Sequence, residues 1–172
     1  MLASKKNIYT LSALLLLSMS NQGNASPKVA EQNNGTIQFF NDNGAEKCSI
    51  IIPETSQMYN FGANDQYCEN NMVSTFLLSN VPSATLIQFY ADESCTEAKA
   101  KENFFFKLKT VKAPTTWTLP QSIDSLRIMK AGFLIPNKDT RIEEAFVGSD
   151  FANKNLNEHL SCVYIERSQP VN

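Results

Sequence analysis

The sequence predicts an all-β fold, an antiparallel sandwich of short strands. Many short runs are rich in β-branched and aromatic residues, and turn-forming residues separate them at close intervals. Patterns with a helical period are scarce. All four cysteines follow an apolar N-terminal stretch, as in small exported domains that are held together by disulfides.

The first predicted strand covers residues 36–40, alternates in polarity, and stops at the turn sequence Asn41-Asp42-Asn43-Gly44. Later runs have the same character. We predict further strands over residues 48–52, 58–61, 73–78, 86–90, 104–109, 115–119, 123–129, 132–135, 141–146 and 162–165. One or two helical turns fit residues 96–102 and 151–160.

The N-terminus has the pattern of an export signal. Lys5 and Lys6 precede an apolar stretch, residues 8–19, which is shorter than the roughly 20 apolar residues that a membrane span needs. A small residue at Ala25 suits a signal peptidase, so we predict a signal peptide over residues 1–25. A membrane anchor is the alternative, and no stop-transfer run follows to support it.

After this segment we expect a flexible leader over residues 26–35 and a single β domain over residues 36–172, secreted or periplasmic. Removing Lys5 and Lys6 changes the formal net charge from −2 to −4. An acidic chain without a basic tract argues against nucleic acid or an anionic membrane as the partner.

The cysteines are Cys48, Cys68, Cys95 and Cys162. An even number in an exported chain predicts two disulfides. A zinc site is the alternative, but it requires closely spaced pairs such as C-x-x-C, which this sequence lacks.

Three segments resemble one another, at residues 70–80, 120–130 and 155–166. Each opens with polar residues and continues into an apolar run, which suggests an internal repeat. The alternative is that β-strands after polar turns generally look alike.

Four stretches of the chain resemble the βγ-crystallin-type double Greek key. In that family each motif opens with an aromatic-bearing strand and closes after the signature Asn/Asp-Asn/Asp-x-x-Ser/Thr-Ser. Residues 37–42 (IQFFND) and 86–92 (LIQFYAD) resemble the opening strands. Residues 70–75 (NNMVST) and 121–126 (QSIDSL) resemble the closing signatures, although the second lacks the opening pair.

The resemblance implies a first Greek key over residues 36–80 and a second over residues 84–131, with residues 132–172 as a C-terminal extension. It also implies a calcium site in the first signature, with Asn70, Asn71 and Thr75 as ligands. Calcium prefers six to eight oxygens with some carboxylate. The alternative is an ordinary Asn-Asn turn without any cofactor.

Four cysteines allow three pairings. If Val81-Pro82 centres a connection between adjacent antiparallel strands, equal steps outward reach Cys68 and Cys95. This placement favours a Cys68–Cys95 disulfide and leaves Cys48 with Cys162.

Catalytic patterns are absent from the sequence. The single histidine, His159, has no recognisable nucleophile motif to serve, and no G-x-S-x-G occurs. Glu143 and Glu144 are neighbours on a predicted strand and therefore point to opposite faces. Phe104-Phe105-Phe106 puts rings on both faces of a strand, and we expect the outer ring to pack beneath the C-terminal segment.

These observations predict an exported, non-enzymatic β protein that binds another macromolecule, most simply a protein. Small exported members of the βγ-crystallin-like group act as protease inhibitors, toxins or stress proteins, so the resemblance implies an inhibitor or an immunity protein. A structural calcium-binding module is the first alternative. A hydrolase without a recognisable motif is the second.

Overall fold

The computed structural model describes residues 34–62 and 67–168, and these residues form two antiparallel β-sheets. The strands are β1 (Thr36–Phe40), β2 (Glu46–Ile51), β3 (Gln57–Asn60), β4 (Thr75–Ser79), β5 (Leu86–Tyr90), β6 (Phe104–Thr110), β7 (Gln121–Ser122), β8 (Thr140–Val147) and β9 (Cys162–Glu166). Within that part of the chain the only helical elements are two 3-10 helices, Asp124–Ile128 and Ser149–Phe151. The predicted all-β, antiparallel fold is confirmed.

The first sheet has the order β2-β1-β4-β7, and the second has the order β3-β9-β5-β6-β8. Alternation along the strands sends one row of side chains inward, such as Phe39 on β1 and Phe76 on β4. Phe89 on β5 meets both from the other sheet, with ring centroids 6.2 Å from Phe39 and 4.6 Å from Phe76. The core therefore lies between the two sheets.

The two sheets have related strand orders. β1, β2 and β4 are neighbours in the first sheet, and β5, β6 and β9 are neighbours in the same relative order in the second. One strand of each half of the chain is exchanged, while β8 stays in the second sheet beside β6: β3 pairs with β9, and β7 pairs with β4. Each half of the chain thus completes the sheet of the other half.

A second aromatic cluster lies on the outer face of the second sheet. Tyr90 and Phe105 are buried there, with Phe146 and the Cys95–Cys162 pair packed against them. Phe105 is buried as expected, and its ring stacks on Phe146 of the C-terminal segment at 5.5 Å between centroids, while Cys95 of the β5–β6 loop packs against the same cluster. The burial raises the pKa of Tyr90.

Ion pairs between lysine and glutamate side chains lie beside this aromatic cluster. Lys107 lies 2.7 Å from Glu97 of the loop and 3.2 Å from Glu144 of β8, and Lys99 lies 3.2 Å from Glu144. Hydrogen bonds from Lys107 and Lys99 lower the pKa of the Glu144 carboxyl. The β5–β6 loop is therefore attached to the sheet by charges as well as by the disulfide.

Three predicted strands are wrong. Within residues 123–129 the chain forms the 3-10 helix Asp124–Ile128, and Ile123 and Leu126 are buried at a spacing of three and not in alternation. Residues 115–119 make a single bridge, between Thr115 and Val81. Residues 132–135 also make one bridge, between Leu134 and Arg141. The predicted helical turn at residues 96–102 does not form either.

Segments at both ends of the predicted domain contribute to its fold. The presumed C-terminal extension, residues 132–172, supplies β8 and β9 to the second sheet, and β9 lies in its interior. The predicted signal peptide and most of the predicted leader lie outside the described residues. Gly35, the last leader residue, belongs to the domain, because it is buried and its carbonyl accepts the Ile52 amide at 3.0 Å.

All four cysteines are paired, as predicted, but the predicted pairing is wrong. The disulfides join Cys48 to Cys68 and Cys95 to Cys162, each with a Cα–Cα distance of 5.4 Å. The symmetry argument failed because β4 and β5, on either side of Val81-Pro82, enter different sheets and do not pair. Two disulfides indicate an oxidising setting, extracellular or periplasmic. Within the described residues, no helix has the length and apolar character needed to cross a bilayer.

Candidate functional site

The predicted calcium loop lies against a second, similar loop. Asn71 and Glu158 occupy matching places and both have positive φ, 56° and 61°. The Asn71 amide donates to the Leu160 carbonyl at 3.4 Å, and the Glu158 amide donates to the Val73 carbonyl at 2.8 Å. The counterpart of the Asn70-Asn71 loop is therefore at residues 157–161, and not at residues 121–126 as the sequence suggested.

The same correspondence continues into the strands. The Ser74 amide donates to the Phe40 carbonyl at 2.8 Å, and the Ser161 amide donates to the Tyr90 carbonyl at 2.9 Å. Phe40 ends β1 and Tyr90 ends β5, so these bonds join equivalent strand ends in the two sheets. Of the three similar segments, the first and third are thus structural counterparts.

The oxygens of this loop do not fit a calcium ion as they are arranged. Asn70 Oδ1 and Ser74 Oγ are buried without a hydrogen-bond partner, which favours a ligand. Asn71 Oδ1, however, already accepts the Ser161 hydroxyl at 3.3 Å, and Thr75 lies within β4. The described residues contain no group of three His, Cys, Asp or Glu side chains that could hold a metal. One carboxylate lies beside the loop: Glu93 accepts the Asn70 side-chain amide at 3.0 Å, and a single carboxylate is fewer than calcium usually takes.

We therefore expect calcium at millimolar concentration to leave the melting temperature unchanged, because an ion that does not bind the folded state cannot stabilise it. Differential scanning fluorimetry with and without calcium, with magnesium as the matched control, measures this directly. A stabilisation by calcium that Asn71→Ala removes would show that the loop is a calcium site.

A polar cleft of about 570 Å³ opens beside this loop. His159 lies in its wall, where its ring packs edge-on against Phe151 at 5.4 Å between centroids. Among the described residues its side chain has no hydrogen bond to a hydroxyl or a carboxylate. Ser161 in the same wall is bonded to Asn71 and not to His159. In the part of the chain that the structure describes, His159 and Ser161 are therefore not assembled as a base and a nucleophile in this cleft.

The most unusual surface lies in the connection between β7 and β8, residues 123–139. Its 3-10 helix is attached firmly to the domain by Arg127, which contacts Asp124 at 2.8 Å and donates to the carbonyls of Ala152 and Lys154. Leu126 points into the core from this helix. Ile128, two residues later, is 80% exposed.

The connection then runs back along the first residues of β8. The Gly132 amide donates to the Ile142 carbonyl at 2.7 Å, and the Ile142 amide donates to the Phe133 carbonyl at 2.9 Å. Ile135 is buried and anchors the turn, while Phe133 is 66% exposed and Leu134 is 57% exposed.

These exposed side chains line one groove of about 320 Å³, which we call the apolar groove. It is lined by Ile128, Met129, Lys130, Phe133, Leu134 and Pro136. Contiguous exposed apolar surface in a folded protein commonly marks an interaction site.

Lys138, which follows the groove residues in the chain, attaches this side of the groove to the core. The Lys138 ammonium lies 4.2 Å from the centre of the Trp117 ring and donates to the Leu119 carbonyl at 2.8 Å. Partial burial lowers the pKa of Lys138. The turn that follows the groove is thus packed onto the core through Trp117.

The groove also carries local positive charge, although the chain as a whole is acidic. Residues 127–141 contain four basic residues and one acidic residue. Three of the basic side chains are engaged, Arg127 and Lys138 as described and Arg141 with Glu143 at 2.9 Å. The Lys130 ammonium has no ion pair or hydrogen bond among the described residues, and it lines the groove.

Sequence reasoning did not find this site. Residues 123–129 and 132–135 resemble strands, and an apolar run looks the same whether its side chains are buried or exposed. One available signal was the length of the run Phe133-Leu134-Ile135, which Gly132 and Pro136 confine to three residues, at the short end of the usual range for strands.

Comparison of the chain with protein-family models, with curated proteins and with solved structures finds no match.

Proposed function

We propose that the chain is an exported, non-enzymatic protein that binds a segment of another protein in its apolar groove. The observation that carries this proposal is the exposure of Ile128, Phe133 and Leu134 side by side. The fold buries its central phenylalanines, such as Phe39 and Phe89, completely. Large apolar side chains that stay exposed are therefore an exception in this domain. Three exposed ones in a single groove indicate a surface that a partner covers.

The rigidity of the groove supports the same function. Arg127 fixes one wall to the body of the domain, and Lys138 with Trp117 fixes the other. A surface that is already ordered loses little conformational entropy when it binds, and this favours affinity.

The role of inhibitor or immunity protein suits this surface and an oxidising compartment. It rests on the resemblance to the βγ-crystallin-like group and on the size of the domain. We also propose that the two halves of the chain are related motifs, over residues 36–79 and 86–166. The matching loops at Asn71 and Glu158 and the exchanged strands β3 and β7 support this relationship.

The two alternatives have less in their favour. A calcium-binding module would need more carboxylate than the Asn70-Asn71 loop provides. A hydrolase would need a base close to a nucleophile, whereas His159 lies against Phe151.

Photo-crosslinking in the exporting cell tests the proposal. A benzophenone amino acid at position 133 should give an adduct with another protein, which mass spectrometry identifies. The same probe at position 51 is the matched control, because Ile51 is 68% exposed and lies on β2, away from residues 123–139. Ile128→Ser in the position-133 protein should lower the adduct yield roughly tenfold through lost apolar burial.

Equal yields of adduct at positions 133 and 51 would show that the probe reacts through non-specific surface encounters, and would contradict the proposal. An adduct only with a second copy of the chain would contradict it as well, because it would make the groove a self-association surface.

A further inference from the structure

The backbone beside the apolar groove has an open edge. Leu134 pairs with Arg141 in an isolated antiparallel bridge. The hydrogen bonds of this pairing are made by its neighbours: the Phe133 carbonyl accepts the Ile142 amide, and the Ile135 amide donates to the Thr140 carbonyl at 2.9 Å. In such a pair the amide and carbonyl of the central residue point away from the partner strand.

The Leu134 amide and carbonyl therefore face outward from the second sheet. Neither has a hydrogen-bond partner among the described residues. Pro136 lacks an amide hydrogen, and the Gly132 amide is used by Ile142, so the edge offers one donor and one acceptor at Leu134. A single residue of an added extended segment satisfies both.

We propose that the apolar groove binds an extended, acidic segment of its partner by β-strand addition. The segment pairs with the Leu134 backbone, places an apolar side chain against Ile128 and Phe133, and sets a carboxylate against Lys130. This inference rests on the proposed protein-binding function and specifies the chemistry of the partner.

Two independent features select this occupant. An extended segment provides the backbone donor and acceptor that Leu134 lacks, whereas a partner helix has used its own. The charge of the surface selects acidic residues, because Lys130 is an unpaired cation in a locally basic segment. Apolar contact, backbone pairing and charge complementarity thus meet at one place.

Blocked synthetic pentapeptides are the probes, with phenylalanine at the centre, valine on either side, and glutamate at both ends. Heteronuclear NMR of the isotope-labelled full domain should show shifts of the Lys130, Phe133 and Leu134 amide signals on titration with this acidic peptide. The matched peptide with lysine at both ends should bind at least about tenfold more weakly, because its charges oppose Lys130.

A second set of peptides distinguishes backbone pairing from non-specific apolar binding. Each amide of the acidic peptide is N-methylated in turn, and methylation of the amide that faces Leu134 should weaken binding about tenfold through one lost hydrogen bond. Lys130→Glu should reverse the preference between the acidic and the basic peptides. Lys109→Glu, on β6 outside the groove, should leave the preference unchanged.

Failure of this inference can be distinguished from failure of the proposed protein-binding function. Equal binding of acidic and basic peptides, insensitivity to every N-methylation, or no binding at millimolar concentration would each overturn the extended acidic segment. The proposed function would still stand if the position-133 adduct forms in cells. Groove signals that shift with protein concentration before any peptide is added would assign the groove to a second copy and overturn the inference.

Discussion

A protein in which Cys95 and Cys162 are both replaced by alanine should have a free energy of unfolding about 4 kcal/mol lower than the wild type. This disulfide closes a long stretch of chain, with 67 residues of sequence separation, so it restricts the unfolded state strongly. In the folded state it also attaches the β5–β6 loop over Tyr90 and Phe105. Urea denaturation of the two proteins measures the difference.

The matched control is the double replacement of Cys48 and Cys68. Their separation is 20 residues, so the chain-entropy model gives a smaller loss, about 3 kcal/mol. Mass spectrometry of an unreduced digest identifies the linked peptides in the wild type. A Cys68–Cys95 peptide would show that the chain pairs its cysteines differently and would contradict both expected values.

Phe89→Ala should lower the free energy of unfolding by about 3–5 kcal/mol. The Phe89 ring fills the space between the two sheets, where it contacts Phe39 and Phe76, and its removal leaves a cavity that strands in two sheets cannot readily close. Chemical denaturation followed by circular dichroism gives the value.

Phe133→Ala is the matched control, since it removes the same ring from the exposed groove. Its effect on stability should stay within about 0.5 kcal/mol. A similar loss at both positions would mean that Phe133 is part of the core and that the groove is not a free surface.

The strands could be predicted wherever a run of alternating apolar and polar residues is followed directly by turn-forming residues. Thr36–Phe40 has the bounds that the sequence predicts, because its alternate burial leaves a direct trace in the residues. Leu86–Tyr90 also has the predicted bounds, as a continuous apolar and aromatic run that is buried from Ile87 to Tyr90. The stretch at residues 123–129 was misread because Ile123 and Leu126 are buried three residues apart, and a short apolar run does not distinguish a strand from a 3-10 helix.

The disulfide pairing could not be predicted for a different reason. Proximity along the chain suggested that β4 and β5 form a hairpin, but they belong to different sheets, and sheet membership leaves no local trace. The role of β9 was missed on the same ground, because residues 91–161 separate it from β5, the strand with which it pairs. The sequence already shows that residues 155–166 resemble residues 70–80, but only the fold places Asn71 and Glu158 in matching turns.

The candidate site is defined by apolar side chains that are exposed, and residue types alone do not show whether a side chain is buried or exposed. Phe133 and Leu134 have the same residue types as the core, yet their side chains are exposed, on a connection that Arg127 and Lys138 attach to the domain. The polar positions that the sequence highlighted, Asn70 and Asn71, belong instead to the contact between two loops of the domain.

The central claim is that the apolar groove binds a partner protein, and one binding isotherm tests it most directly. The partner identified through the position-133 adduct is purified, and its Kd is measured by calorimetry with the wild type and with Phe133→Ser/Leu134→Ser. Loss of two central apolar contacts should weaken binding about 30-fold or more, while the melting temperature stays the same. Leu119→Ser, an exposed apolar residue outside the groove lining, should leave the Kd unchanged. A Kd within twofold of the wild type in the double variant would contradict the claim.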